Sequence, residues 1–203
     1  AGFAPIEAPA IEVVPAWNPI ELEWVRRDLA SGAFDWVVLP SQNAGVMLPD
    51  VLAQARVVCG SQTARALELH PEFRLDRFSA AAALDVLRPL FVRGQRVLLP
   101  RGAAGRDELT DGLDALGAVV YAPIAYKTVA VDASTLRDVN ERLRNGSIGA
   151  VTVCSPSAVD SLLLAIDHTL LAGVPLVCLG ETTADAARQA GLNVAGVGDR
   201  TSM

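Results

Sequence analysis

Scarcity narrows the reading of this 203-residue chain before any motif is found, because aromatic residues make up 5% and Cys, His and Met number only 3, 2 and 2. Cys59, Cys154 and Cys178 cannot all pair, and their spacing matches neither a disulfide framework nor a zinc site. Each follows a run of Val or Leu, so all three are expected as buried packing residues at strand ends. His70, ahead of Pro71, and His168, in an apolar helix, are too few and too far apart to suggest a metal cluster; they read as surface or capping side chains. No cluster of Lys and Arg breaks a balance of 17 basic against 23 acidic residues, net charge −6, which argues against a nucleic-acid partner. The apolar runs, such as residues 161–166, fall well short of the roughly 18 that cross a bilayer. No basic segment followed by an apolar one opens the chain, so no membrane association is expected and a cytoplasmic location is. What is plentiful is apolar: 51% hydrophobic residues can bury one large core or two small ones and exclude disorder as the main state.

Several units share a short run of Val and Leu, a turn of small residues, then a helical segment, the pattern of parallel strands with crossover helices. Trp36–Leu39 leads into Pro40-Ser-Gln-Asn43, Arg56–Cys59 into Gly60-Ser-Gln-Thr63, and Arg96–Leu99 into Pro100-Arg-Gly102. Further on, Ala150–Cys154 leads into Ser155-Pro-Ser157 and Pro175–Leu179 into Gly180-Glu-Thr-Thr183. Ser41-Gln-Asn-Ala44 aligns with Ser155-Pro-Ser-Ala158, and Gly60-Ser-Gln-Thr-Ala64 with Gly180-Glu-Thr-Thr-Ala184 at nearly the same offset. The expectation is an α/β fold of two similar parallel-sheet domains. Between them lies the β-prone stretch Val119–Val131, whose Pro123 argues for an edge or two-stranded position, and Pro5–Pro15 alternates apolar and acidic residues in the same manner. Paired, they would form a two-stranded ribbon and hinge. The boundaries expected are 1–17 for the first ribbon strand, 18–118 for the first domain, 119–132 for the second ribbon strand and 133–203 for the second domain. That last domain is short for a stable sheet, and is expected to lack an opening strand-helix unit. The ending at Asp199–Met203 reads as the cap of a helix that does not follow, through Asp199 or Thr201.

At the carboxyl ends of parallel strands, helix N-termini present unpaired N–H groups that attract anions. Ser41, Asn43, Thr63, Ser155, Ser157, Thr182 and Thr183 fall there, able either to cap a helix or to turn toward a ligand. Their recurrence on four units argues for a shared anionic ligand. No dinucleotide fingerprint, P-loop or nucleophile elbow is present. Arg101, beside the turn Gly102-Ala-Ala-Gly105, could hold a carboxylate or stand in solvent. Tyr126, flanked by Lys127 and Thr128, is the side chain best suited to chemistry, since a phenol donates a hydrogen bond near neutral pH without being charged. Tyr121 shares its β-prone context, and a packing role stays open for either ring.

Asp35–Ala44, Cys59–Leu67, Gly94–Gly102, Ala118–Thr128, Thr152–Val159 and Cys178–Ala187, in this order and spacing, resemble the uroporphyrinogen-III synthase family over essentially the whole chain. The resemblance implies two α/β domains joined by a two-stranded ribbon, the chain starting in one, crossing to the other and returning. It implies that the family's opening strand and helix are absent before Ala1 and its final helix after Met203. The implied substrate is hydroxymethylbilane, closed without any cofactor into uroporphyrinogen III with inversion of ring D and loss of water. The enzyme is implied to be a monomer in transient contact with the preceding pathway enzyme. Residue by residue, Tyr126 matches the family's catalytic tyrosine, and Ser41, Thr63, Arg101, Ser155, Ser157 and Thr183 match candidate substrate contacts. A two-lobed binding protein that closes a hinge on a small anion is the alternative reading.

Overall fold

The computed structural model describes residues 4–198, so Asp199 and Thr201 lie outside the described residues. The strands, in chain order, are β1 (Ile11–Pro15), β2 (Trp36–Leu39), β3 (Val57–Gly60), β4 (Phe73–Leu75), β5 (Arg96–Leu98), β6 (Arg101–Gly102), β7 (Val119–Tyr121), β8 (Ile124–Ala130), β9 (Val151–Val153), β10 (Leu176–Cys178) and β11 (Val194–Val197). The chain divides into two compact units, Val13–Lys127 and a second made of Ala1–Glu12 with Thr128–Met203.

In the larger unit, five parallel strands line up as β4-β3-β2-β5-β7. Every residue of β2 and β3 is buried, as expected for strands covered on both faces. The pleat sorts them: Val37, Leu39, Val57, Cys59 and Leu98 pack with helix Pro19–Ala30 and the short helices after β2 and β3. Trp36, Val38, Val58 and Val97 pack on the other face against helices Ala80–Leu87 and Glu108–Ala115. The strand order reverses at β2, which has β3 on one side and β5 on the other.

The smaller unit holds three parallel strands ordered β11-β10-β9, the order of β4-β3-β2, so the sequence repeat is also a repeat of topology. Val153, Leu176 and Cys178 point into a core with Val159, Leu162, Ala184 and Ala187 of helices Pro156–Ala165 and Glu181–Gln189. The alternate residues Thr152, Cys154, Val177 and Leu179 are exposed. Cys154 thus departs from the expected burial shown by Cys59 and Cys178: it belongs to the alternation that faces away from the helices.

The β-prone stretch from Val119 is one continuous strand in the sequence reading and two in the structure. Val119–Tyr121 is the edge strand of the five-stranded sheet, with Leu98 opposite Tyr121. After Ala122-Pro123, a point where a ladder donor is missing, the chain enters β8 in a different sheet, ordered β1-β8-β6. The Ala16 N–H donates to the Ala125 carbonyl at 3.0 Å and the Val131 N–H to the Ala10 carbonyl at 3.2 Å, the falling register of an antiparallel pair. Both β1 and β8 begin in one unit and end in the other.

Candidate active site

In open α/β sheets, ligands bind beyond the carboxyl ends of the strands where the strand order reverses. In the larger unit that place lies between β2 and β5, and the chain delivers three sequence-selected residues to it. Leu39 ends β2 and Pro40-Ser41 follows; Leu98 ends β5 and Leu99-Pro100-Arg101 follows; β6 then lies beside β8 and so brings in Tyr126. Ser41, extended at φ −153° and ψ 163°, precedes helix Gln42–Gly45 but its side chain does not cap it. Instead its hydroxyl donates to the phenol oxygen of Tyr126 at 3.2 Å. Tyr126 is half-buried, packed against the core that contains Val37, Leu39 and Ala44. Because its oxygen accepts from Ser41, its own O–H is left to donate to a ligand.

Arg101 is folded into its own loop. Its guanidinium donates to Asp107 Oδ1 at 2.6 Å and to the Gly105 carbonyl at 2.7 Å, with the arginine side chain 21% exposed and the aspartate 73%. The turn read as a place for a carboxylate ligand thus already holds a carboxylate of the protein. Asp107 precedes helix Glu108–Ala115 without capping it, its oxygen being turned to Arg101.

The two tyrosines separate cleanly. Tyr121 donates to Glu21 Oε1 at 2.6 Å and stacks among Trp24 and Phe34, with the Trp24 ring edge-on at 4.8 Å. Burial, then the adjoining carboxylate, push its phenol up to about 12. The Tyr121 hydroxyl is thus taken up by Glu21, whereas that of Tyr126 accepts from Ser41.

Thr63 and Thr183 occupy matching places, each the third residue of a helix that opens after a glycine, Gly60 or Gly180, with no side-chain cap. Both are buried, at 6% and 4% exposure. Ser155 caps helix Pro156–Ala165 by accepting from the Ala158 N–H at 3.2 Å, and its hydroxyl lies 3.0 Å from that of Ser157. Aligned serines therefore do different work: Ser155 caps, whereas Ser41 serves a tyrosine. Asn43 is half-buried and Thr182 exposed.

His70 is exposed, and His168 Nε2 sits 2.7 Å from the Ala190 carbonyl at the end of helix Glu181–Gln189. Among the described residues, no group of three His, Cys, Asp or Glu side chains could hold a metal ion, and no helix is long and apolar enough to cross a membrane. Gly102, paired with Tyr126 across β6 and β8, escaped the sequence reading as an individual residue. Only the register of two strands far apart in sequence could have singled it out.

Known proteins resemble this chain over most of its length. A protein from Synechococcus elongatus named uroporphyrinogen-III synthase is 28% identical over an alignment taking in 100% of this chain and 76% of the relative. A uroporphyrinogen-III synthetase structure from Helicobacter pylori superposes with a TM-score of 0.60 at 17% identity, covering 92% of this chain and 83% of that one. A mutant uroporphyrinogen III synthase from Thermus thermophilus gives 0.55 at 20% identity, over 98% and 84%. At such identities the structures establish the fold. The family model for uroporphyrinogen-III synthase HemD matches residues 1–203, end to end, and the chain belongs to the uroporphyrinogen-III synthase family.

Proposed function

We propose that this protein closes the linear tetrapyrrole hydroxymethylbilane into uroporphyrinogen III, inverting ring D and releasing water, as a carbon–oxygen lyase of haem biosynthesis. Family membership along the whole chain supports the reaction. The observation that carries the site is the bond from Ser41 to Tyr126 at the point where the strand order reverses.

The pyrrole nitrogen adjoining the hydroxymethyl group supplies the electron pair that breaks the carbon–oxygen bond. The Tyr126 O–H gives its hydrogen to the departing hydroxyl, which leaves as water. The hydrogen bond from Ser41 steadies the negative charge that grows on the phenol oxygen. The ring N–H proton released as the azafulvene forms replaces the one the phenol gave. The azafulvene carbon then bonds to the substituted carbon of ring D, and the resulting spiro intermediate opens and recloses with that ring inverted. Closure without inversion occurs spontaneously, so the protein must chiefly hold the chain in one folded conformation and favour one transition state.

Acetate and propionate groups on every ring of the substrate suit helix N-termini and small hydroxyl side chains. In this reading Thr63, Ser155, Ser157 and Thr183 contact substrate carboxylates, Arg101 does so through guanidinium N–H groups other than those given to Asp107 and Gly105, and Ser41 meets the substrate beside Tyr126. The paired strands β1 and β8 serve as the hinge between two α/β lobes. The working form is a cytoplasmic monomer that meets the preceding pathway enzyme transiently.

The deciding experiment supplies freshly made hydroxymethylbilane and measures the ratio of type III to type I porphyrin after oxidation. A large type III excess is expected. Type I alone, from protein shown to be folded, overturns the proposal and leaves a two-lobed binding protein for a small anion. Tyr126→Phe is expected to lower turnover with little change in substrate affinity, and a variant at full rate removes Tyr126 from the chemistry.

A further inference from the structure

We propose that Gly102 is a positioning residue for Tyr126: its missing side chain is the space that the reactive end of the phenol occupies, and Ser41 completes the placement. The inference rests on the reading of Tyr126 as the group that assists loss of the hydroxyl.

Glycine is often required where the backbone takes a positive φ, as at Gly32, Gly94, Gly117, Gly146 and Gly191. Gly102 is not among them, so backbone conformation does not call for glycine there. Space does. A Cβ on Gly102 would stand 2.9 Å from both Cε2 and Cζ of Tyr126 and 3.1 Å from its hydroxyl oxygen. Two of these distances lie below 3.0 Å, a separation that real Cβ atoms essentially never show. The atoms met are those at the hydroxyl end of the ring, the end that does the chemistry.

The contact is not easily relieved by moving the strand. Gly102 and Tyr126 are paired across β6 and β8, and the Ala103 N–H donates to the Tyr126 carbonyl at 2.9 Å, pinning the backbone on both sides of the pair. The side chain must therefore give way. Displacing the ring from Gly102's space alters the placement of the phenol oxygen against the Ser41 hydroxyl, 3.2 Å distant at present. Ser41 is free for that bond because it does not cap its helix, unlike its counterpart Ser155. Glycine and serine thus both act on the hydroxyl end of the ring, one by leaving it space and the other by a directed hydrogen bond.

A purely structural account exists, in which the ring shields a glycine in a short strand. That role would alter stability regardless of whether the ring bears a hydroxyl. The two accounts separate experimentally, helped by the chain's having only two tyrosines. Protein labelled with 13C at tyrosine Cζ gives two signals, and Tyr121→Phe identifies that of Tyr126. Gly102→Ala is expected to shift the Tyr126 signal and to lower kcat about tenfold or more, with KM within twofold, the scale on which small displacements of a catalytic group act. In a Tyr126→Phe background, Gly102→Ala should cause no further loss of kcat. An unmoved signal with kcat within twofold of the parent overturns the proposal, as does an equal loss of kcat in the Tyr126→Phe background. Should Gly102→Ala fail to melt cooperatively, Ser41→Ala carries the test, with a shifted Tyr126 signal and a lower kcat expected and neither change refuting it. Tyr126→Phe at full rate would instead refute the chemical role of Tyr126, while the labelled signal continues to report whether Gly102 and Ser41 place the ring.

Discussion

Raising the pH above 10 offers a direct probe of the bond between Tyr121 and Glu21. Tyr121 donates to the Glu21 carboxylate at 2.6 Å from a partly buried ring, and its phenol is pushed up to about 12 by burial and by the carboxylate. In the unfolded chain the same phenol titrates near 10. Because the folded value is the higher one, the contribution to stability is fully present below about pH 10 and is lost as pH rises from there toward 12. The difference between about 10 and about 12 corresponds to a ceiling of about 2.7 kcal/mol. Solvent reaches part of the ring and screens the charge, which leaves about 1 kcal/mol. For a chain of this size that amounts to a fall of about 2–4 °C in melting temperature. Cys59, buried and pushed up to about 11, loses stability with the same sign in an overlapping window from about 9, so the comparison belongs in a Cys59→Ala background. Melts by circular dichroism at about pH 9.5 and 11.5 should show the extra fall in that parent and not after Tyr121→Phe. Equal falls in both would refute the assignment of the upward shift to Tyr121.

Of the three thiols, Cys154 is exposed while Cys59 and Cys178 are buried with thiols pushed up by desolvation, so a colorimetric thiol reagent at neutral pH should label one cysteine quickly in native protein and two more only on unfolding. Ser155→Ala removes a helix cap and should destabilise by about 1 kcal/mol in a denaturant melt, whereas Ser41→Ala, which removes no cap, should cost clearly less. Thr63→Ala and Thr183→Ala should each raise KM for hydroxymethylbilane, by an interaction of about 1–2 kcal/mol; unchanged kinetics with a lower melting temperature would make both hydroxyls structural.

Much of the fold is legible because parallel strands covered on both faces leave runs such as Trp36-Val-Val-Leu39, and because the repeat of Gly60-Ser-Gln-Thr-Ala64 at Gly180 marks equivalent strand ends. What escapes the sequence is whatever depends on pairing at a distance. Ser41 and Ser155 look alike in a local window, yet one caps a helix and the other meets a tyrosine 85 residues away. Cys154 follows a Val-rich run as Cys59 and Cys178 do, but the pleat turns it to the side of its sheet that lacks the helices. Val119–Val131 carries β propensity throughout, and only the interruption at Pro123 decides that its first residues join one sheet and its later ones another. Arg101 was legible as a cation beside a flexible turn, while its engagement by Asp107 depends on how that turn closes.

The reversal of strand order at β2 also bears on how the protein is made. β2, β3 and β4 can pair as each leaves the ribosome, since every crossover between them is short. The other edge of β2 waits for β5, and Trp36 meets Val97 only after some sixty intervening residues have been synthesised. Closing loops of that size before any contact rewards them is the slow part of building a parallel sheet. Tyr126 arrives later still, carried in by β8 beside β6. Ser41 therefore gains its partner only when the larger unit is nearly complete, and recovery of turnover during refolding should trail the recovery of helical signal, making catalysis itself a clock for the last long-range closures of the chain.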